Sequence, residues 1–330
     1  MRVAIVGATG AVGQELLRLL DERAFPVDSL RLFASPRSEG KTVSFRGKEI
    51  VLEVAPDDGN LGSDVVFSSA GGSVSKAHAK AWASHGAVVV DNTSAWRMDP
   101  DTPLVIPEIN PDAARRHQGI IANPNCSTII ALMALAPLHE AFTLERATVA
   151  TYQAVSGAGA KGIDELTRLT KAALNGEDAI PEAFDHSIAF NLFSHDSEIG
   201  EDGYNVEERK LRLESRKILA LPDLALSATC VRVPVYRAHS EAIHATFARP
   251  VSADEARELL RQAAGVTIVD DRAANHFPMP LEASGKDDVL VGRIREDVSK
   301  PGSLAFFVSG DQIRKGAALN AIQIGELLTV

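Results

Sequence analysis

The chain opens with a short apolar run, Arg2-Val3-Ala4-Ile5-Val6, of the kind found in a strand buried on both faces of a parallel sheet. Gly7-Ala8-Thr9-Gly10-Ala11-Val12-Gly13 comes next, then an amphipathic stretch from Gln14 to Leu20. Strand, glycine turn and helix in that order begin a dinucleotide-binding βαβ unit. Gly7 permits the tight turn, Gly10 lets the backbone approach a pyrophosphate, and Gly13 lets the helix pack close to the strand. The N–H groups that start the helix then face the phosphates. Gly7, Thr9, Gly10, Ala11 and Val12 are therefore candidate cofactor contacts.

The second strand is predicted at Ser29 to Ala34. Where an NAD-type unit carries an acidic residue for the ribose 2′-OH, this chain has Ser35-Pro36-Arg37-Ser38. An arginine between two serines suits a 2′-phosphate, so Ser35, Arg37 and Ser38 point to NADP; the plainer reading of Arg37 is a solvated loop charge. Further strands are predicted at Asp64 to Ala70, Ala87 to Asn92 and Gly119 to Ala122. Residues 1–125 thus form an N-terminal Rossmann-like NADP-binding α/β domain. Strands at Ala147–Val155, Ala225–Val235, Ala242–Ala248, Val266–Val269, Val289–Arg293 and Leu304–Ser309 alternate with helices at Gly162–Ala173, Asn205–Leu219 and Ala253–Ala263. That pattern predicts a second, α+β domain with a mixed sheet over residues 126–312. An amphipathic closing helix, 313–330, is expected to complete the first domain.

The 330 residues carry a net charge of −10 and no long basic run, which argues against nucleic acid or an anionic membrane as partner. Two cysteines do not make a disulfide framework and fit a reducing cytoplasm. The N-terminus reads as a strand rather than a signal peptide, and no apolar run reaches membrane-spanning length. Neither His/Cys nor carboxylate spacing suggests a metal site.

Asn123-Pro124-Asn125-Cys126-Ser127-Thr128 leads directly into an apolar helical run. A thiol at a helix start faces unpaired N–H groups and the positive end of the dipole, which favours the reactive thiolate. Cys126 is thus a candidate nucleophile, the alternative being a small core residue. Arg97 follows a strand end, where open α/β sheets bind ligands. Arg232 lies in an apolar strand, Cys230-Val231-Arg232-Val233, and a buried arginine must be paired or ligand-bound. Glu207 and Lys210, three apart on a helix, read by themselves as a solvated ion pair. Cys230 reads as a core residue.

Taken in order, Gly7 to Gly13, Asp91-Asn92-Thr93-Ser94-Ala95-Trp96-Arg97, Asn123 to Cys126, Gln153-Ala154-Val155-Ser156-Gly157, Glu207-Glu208-Arg209-Lys210 and Arg232 through His239 resemble the aspartate-β-semialdehyde dehydrogenases from end to end. Thr93 is a departure, since serine is commoner there, but it keeps the hydroxyl. The resemblance implies NADPH-dependent reduction of L-aspartyl-4-phosphate to L-aspartate-4-semialdehyde with release of phosphate, within lysine, threonine and methionine biosynthesis, by a homodimer. It implies Cys126 as nucleophile forming a thioester, His239 as the general acid–base group and Gln153 as an orienting residue; an imidazole suits the proton transfer because its ordinary pKa lies near about 6.5. Arg97 and Lys210 would hold phosphate, Arg232 the α-carboxylate, Glu207 the α-ammonium, and Asn125 would contact substrate. Ser156, Gly157 and Asn320 would contact the nicotinamide half of the cofactor. Backbone N–H groups around Cys126 are expected to stabilise the oxyanion. The alternatives are an N-acetyl-glutamyl-phosphate reductase-like enzyme and a non-catalytic NADP-binding paralogue.

Overall fold

A computed structural model describes residues 1–329 and divides the chain into two compact units, 1–125 with 317–330, and 126–316. In the first unit, β1 (Arg2–Val6) leads into α1 (Ala11–Glu22), then β2 (Ser29–Phe33), β3 (Thr42–Phe45), β4 (Lys48–Glu53), β5 (Val65–Ser68), α2 (Gly72–Ser84), β6 (Val88–Asp91) and β7 (Ile120–Ala122). These strands form one seven-stranded sheet in the order β3-β4-β2-β1-β5-β6-β7. All neighbours pair in parallel except the β3–β4 hairpin at the edge. Central β1 is buried from Val3 to Val6, which is why its apolar run is unbroken.

The glycine turn is built by packing as much as by conformation. Gly7 has φ +90°, and a Cβ there would lie 2.9 Å from the Ala70 nitrogen. A Cβ on Gly13 would drive into the Gly7 carbonyl, so only glycine lets α1 come this close to the turn. Gly10, the residue before α1, is different: φ is −76° and a Cβ would meet only the Gly7 oxygen, at 3.4 Å. The chain itself does not demand glycine there.

The second unit begins with α3 (Cys126–Phe142), whose apolar residues cover every side, so it is a core helix. It is followed by β8 (Leu144–Gln153), α4 (Ala160–Asn175), β9 (Phe193–Ser194), α5 (Val206–Ile218), β10 (Ala225–Arg232), β11 (His239–Phe247), α6 (Ala253–Gln262), β12 (Val266–Ile268), α7 (Pro280–Ala283), β13 (Val289–Glu296) and β14 (Ser303–Gly310). The sheet is mixed, in the order β12-β13-β14-β11-β8-β10-β9. β8 and β10 run parallel and β11 runs against β8, so the carboxyl ends of the first two meet the start of the third.

The closing segment departs from expectation twice. Asp311 accepts from Arg237, Gly285 and Ile313, and Arg314 pairs with Asp287, so residues 313–316 belong to the second unit. A π-helical turn (Arg314–Ala318) precedes α8 (Leu319–Leu327), which rejoins the first unit. It is not amphipathic: Leu319 to Ile322, Ile324 and Gly325 are all buried, as befits a helix inside a core. Among the described residues no helix is long and apolar enough to cross a membrane.

Candidate active site

Gln153 and Arg232 are direct partners at the ends of β8 and β10, and His239 opens β11, one position beyond the Ser240–Tyr152 pair. Arg232 ends β10 and His239 opens β11; they flank the loop 233–238, and the sheet brings them together. Gly157 lies against both. A Cβ on it would come within 3.1 Å of Arg232 Nη1 and 3.5 Å of His239 Nε2.

Arg232 is 3% exposed. Nη1 donates to the Ala154 carbonyl at 3.0 Å, Nη2 to His195 Nε2 at 2.9 Å and to Asp196 Oδ1 at 3.2 Å, while Nε finds no hydrogen-bond partner. The guanidinium also lies over the Phe184 ring, 5.4 Å from its centroid. A buried charge so placed is held for use or paired for safety; the orphaned Nε belongs with the first. His195 and Asp196 went unread in the sequence because their loop carries no periodic signal.

His239 is wholly buried. Its Nδ1 accepts the Ala154 N–H at 3.0 Å, so the neutral ring carries its proton on Nε2, which has no partner. Burial, then the Arg232 charge, push its pKa down to about 3. The expected ordinary imidazole value does not hold in this environment. Nor is Nε2 a ready acceptor: while Nδ1 takes the Ala154 N–H, Nε2 is a donor.

α5 is set by a capping box between Asn205 and Glu208, and Glu208 also accepts the Cys230 N–H at 3.0 Å, anchoring the helix on β10. Glu207 is thereby held over the sheet, 4% exposed. It accepts from Gln153 Nε2 at 3.2 Å and from Lys210 Nζ at 3.1 Å. The solvated-pair reading fails for Glu207 on this burial, while the Lys210 side chain stays partly exposed.

Cys126 is the first residue of α3 and half-buried. A Cβ on Gly316 would fall 2.9 Å from the Cys126 Cβ, so a glycine unremarked in the sequence allows the chain to cross beside it. Cys230 lies in the core, where burial raises its thiol pKa far above the usual range and leaves it inert. Ser156, 4% exposed, accepts from Gln312 Nε2.

In the first unit, Gly7, Thr9, Gly10, Ala11 and Val12 line the exposed or half-exposed start of α1, and Ser35, Arg37 and Ser38 sit on a 3-10 turn after β2. The space beside Gly10 and the exposed Arg37 fit a dinucleotide phosphate chain. Arg97, 7% exposed, donates from Nε to the Asn123 carbonyl and from Nη2 to the Asn92 carbonyl, both at 2.9 Å. Thr93 Oγ1 donates to buried Asp91 at 2.7 Å and accepts the Ala95 N–H, shaping the turn that carries Arg97. Asn125, 6% exposed, ends this unit. Asn320 is fully buried, and its Nδ2 donates to the Val105 carbonyl and Asn123 Oδ1. The contact with Asn123 ties down the loop before Cys126.

Residues 2–117 match the family model described as semialdehyde dehydrogenase, NAD binding domain, and residues 135–315 match semialdehyde dehydrogenase, dimerisation domain. The chain belongs to the semialdehyde dehydrogenase family. It is 52% identical over 328 residues to the aspartate-semialdehyde dehydrogenase of Synechocystis, covering 99% of this chain and 97% of the relative. The Bacillus subtilis enzyme of that name is 44% identical over 336 residues, covering 99% and 97%. Among solved structures, aspartate semialdehyde dehydrogenase II from Vibrio cholerae complexed with ASA superposes with a TM-score of 0.96 at 45% identity, covering 99% and 97%. The Candida albicans enzyme with NADP gives 0.76 at 28% identity, covering 99% and 98%. As a semialdehyde dehydrogenase the chain is an oxidoreductase acting on an aldehyde group.

Proposed function

We propose that this protein converts L-aspartyl-4-phosphate to L-aspartate-4-semialdehyde with NADPH, releasing phosphate, as a homodimer in a reducing cytoplasm. The observation that carries the reading is the buried cluster at the ends of β8 and β10, where a guanidinium with an unpartnered Nε on the sheet stands with the Glu207 carboxylate that α5 holds against Gln153. An α-amino acid needs that pair: Arg232 for the carboxylate and Glu207 for the ammonium. The full-length relatives, each named for aspartate semialdehyde, agree with it.

In this reading Cys126 attacks the acyl carbon, the phosphate leaves with the electrons of its C–O bond, and a thioester forms on the sulfur. Arg97 and Lys210 bind the phosphate, and Asn125 and Gln153 orient the acyl group. Gly7, Thr9, Gly10, Ala11 and Val12 would hold the cofactor's pyrophosphate, Ser35, Arg37 and Ser38 its 2′-phosphate, and Ser156 and Gly157 its nicotinamide half. When bound, the reduced nicotinamide would supply a hydride to the thioester carbon; the C–S bond would then break with its electrons returning to the Cys126 sulfur, freeing the aldehyde. His239 hands protons at Nε2; in the resting tautomer it donates to developing negative charge, and it accepts only if Nδ1 first releases the Ala154 N–H.

The deciding assay tracks NADPH formation from aspartate semialdehyde with and without inorganic phosphate, with N-acetyl-glutamate semialdehyde in parallel. Phosphate-dependent turnover of the aspartyl compound alone is expected. Turnover of only the acetylated compound, or NADPH binding with no turnover of either, would overthrow the proposal.

A further inference from the structure

We infer that His195 is a positioning residue: it holds the Arg232 guanidinium through an acceptor nitrogen, and the arginine clamp loosens when that nitrogen takes a proton. The inference rests on the reading of Arg232 as the α-carboxylate clamp. Arginine has only donors, so the 2.9 Å contact between Arg232 Nη2 and His195 Nε2 requires a lone pair on Nε2. The Ser197 N–H also points at Nδ1, from 3.3 Å, but the shorter contact with a guanidinium that can only donate decides the tautomer: the neutral ring carries its proton on Nδ1, 3.1 Å from Ser197 Oγ, which also accepts the Glu207 N–H at 3.2 Å. One short loop, His195-Asp196-Ser197, thus ties the arginine on β10 to the start of α5, which carries the carboxylate. Both ends of a zwitterionic substrate are aligned by the same three residues.

A proton on Nε2 would set two cations 2.9 Å apart with nothing between them to accept. Arg232 would keep Ala154 and Asp196 but lose its third tether. The charged groups around the ring are Arg232 from β10, Asp196 beside it with Oδ1 3.6 Å from Nδ1, Glu207 and Lys210 from α5, and His239 from β11. Burial is the largest influence and favours the neutral ring.

The test is steady-state kinetics of the full chain from pH 5 to 8, reading KM for aspartate semialdehyde and for phosphate separately. In the unsubstituted enzyme the semialdehyde KM rises as pH falls below the ordinary imidazole range, about 6.5, while the phosphate KM does not rise with it. His195→Gln keeps an acceptor that does not titrate, so the rise disappears and KM at pH 7.5 stays near that of the parent. His195→Ala raises the semialdehyde KM about tenfold at pH 7.5 with little change in kcat, the size expected for one hydrogen bond to a charged group. A rise under about fivefold in a folded alanine variant, or an acid rise that persists in His195→Gln, overturns the inference; the glutamine variant decides alone if the alanine variant does not fold. Arg232→Leu separates the two levels: an unchanged semialdehyde KM there would sink the clamp itself.

Discussion

Two cysteines share one unit and have opposite fates. Cys126 begins a helix and is half-buried, whereas Cys230 is sealed in a sheet where its thiol cannot ionise near neutral pH. Cys126→Ala is therefore expected to lower kcat by about three orders of magnitude, as loss of a covalent nucleophile does. Cys230→Ala should leave kcat within about threefold and lower the melting temperature through a small cavity. Equal losses in the two variants would show that the sulfur at 126 has no special role. Arg37 presents a separate case on the exposed turn after β2. Arg37→Asp should raise the NADP KM more than about tenfold and narrow the preference over NAD. If the parent enzyme used NAD as readily as NADP, the assignment of Arg37 to a 2′-phosphate would fall.

β11 carries two buried titratable groups whose effects on stability run in opposite directions. His239 has its pKa pushed down to about 3, so an unfolded chain takes up a proton that the folded chain refuses between pH 6.5 and 3. Stability falls on acidification across that window, by up to about 1.4 kcal/mol per pH unit. Glu241, wholly buried with neither carboxyl oxygen hydrogen-bonded, has its pKa raised well above the ordinary value by burial. The folded chain keeps that proton where the unfolded chain releases it, so stability falls as pH climbs above about 4.3 toward the raised pKa. Denaturant midpoints measured against pH should show Glu241→Gln flattening the alkaline limb and His239→Asn the acid limb. A Glu241→Gln variant with the parent's alkaline slope would mean that Glu241 ionises in the folded protein.

At the scale of the whole chain, the second sheet has one face under α3 and α5 and another bearing exposed Tyr152 and half-exposed Phe307, their rings 6.1 Å apart. In a unit matched by a dimerisation-domain family model, that open face is where a second copy is expected to sit. Light scattering should give twice the chain mass, and Tyr152→Asp should lower it; a monomeric parent would refute this. Much of the architecture was legible because it is written locally. The apolar β1, the glycine turn and the Asn-Pro-Asn-Cys helix start each act within a few residues. The β3–β4 hairpin is harder to read because both strands are short and partly exposed, and charged residues bracket the Ile50-Val51-Leu52 run of β4. His195 and Gly316 escaped for another reason. Their meaning lies in neighbours 37 and 190 positions away, Arg232 and Cys126, and no spacing rule connects them. The site was likewise readable in residue type but not in protonation, because the tautomer of His239 depends on one backbone N–H. Gly10, by contrast, answers to a guest rather than to its own chain. Since a methyl group fits there beside the turn, Gly10→Ala should melt like the parent yet grip nucleotide poorly. Screening by heat alone would pass such a variant as healthy.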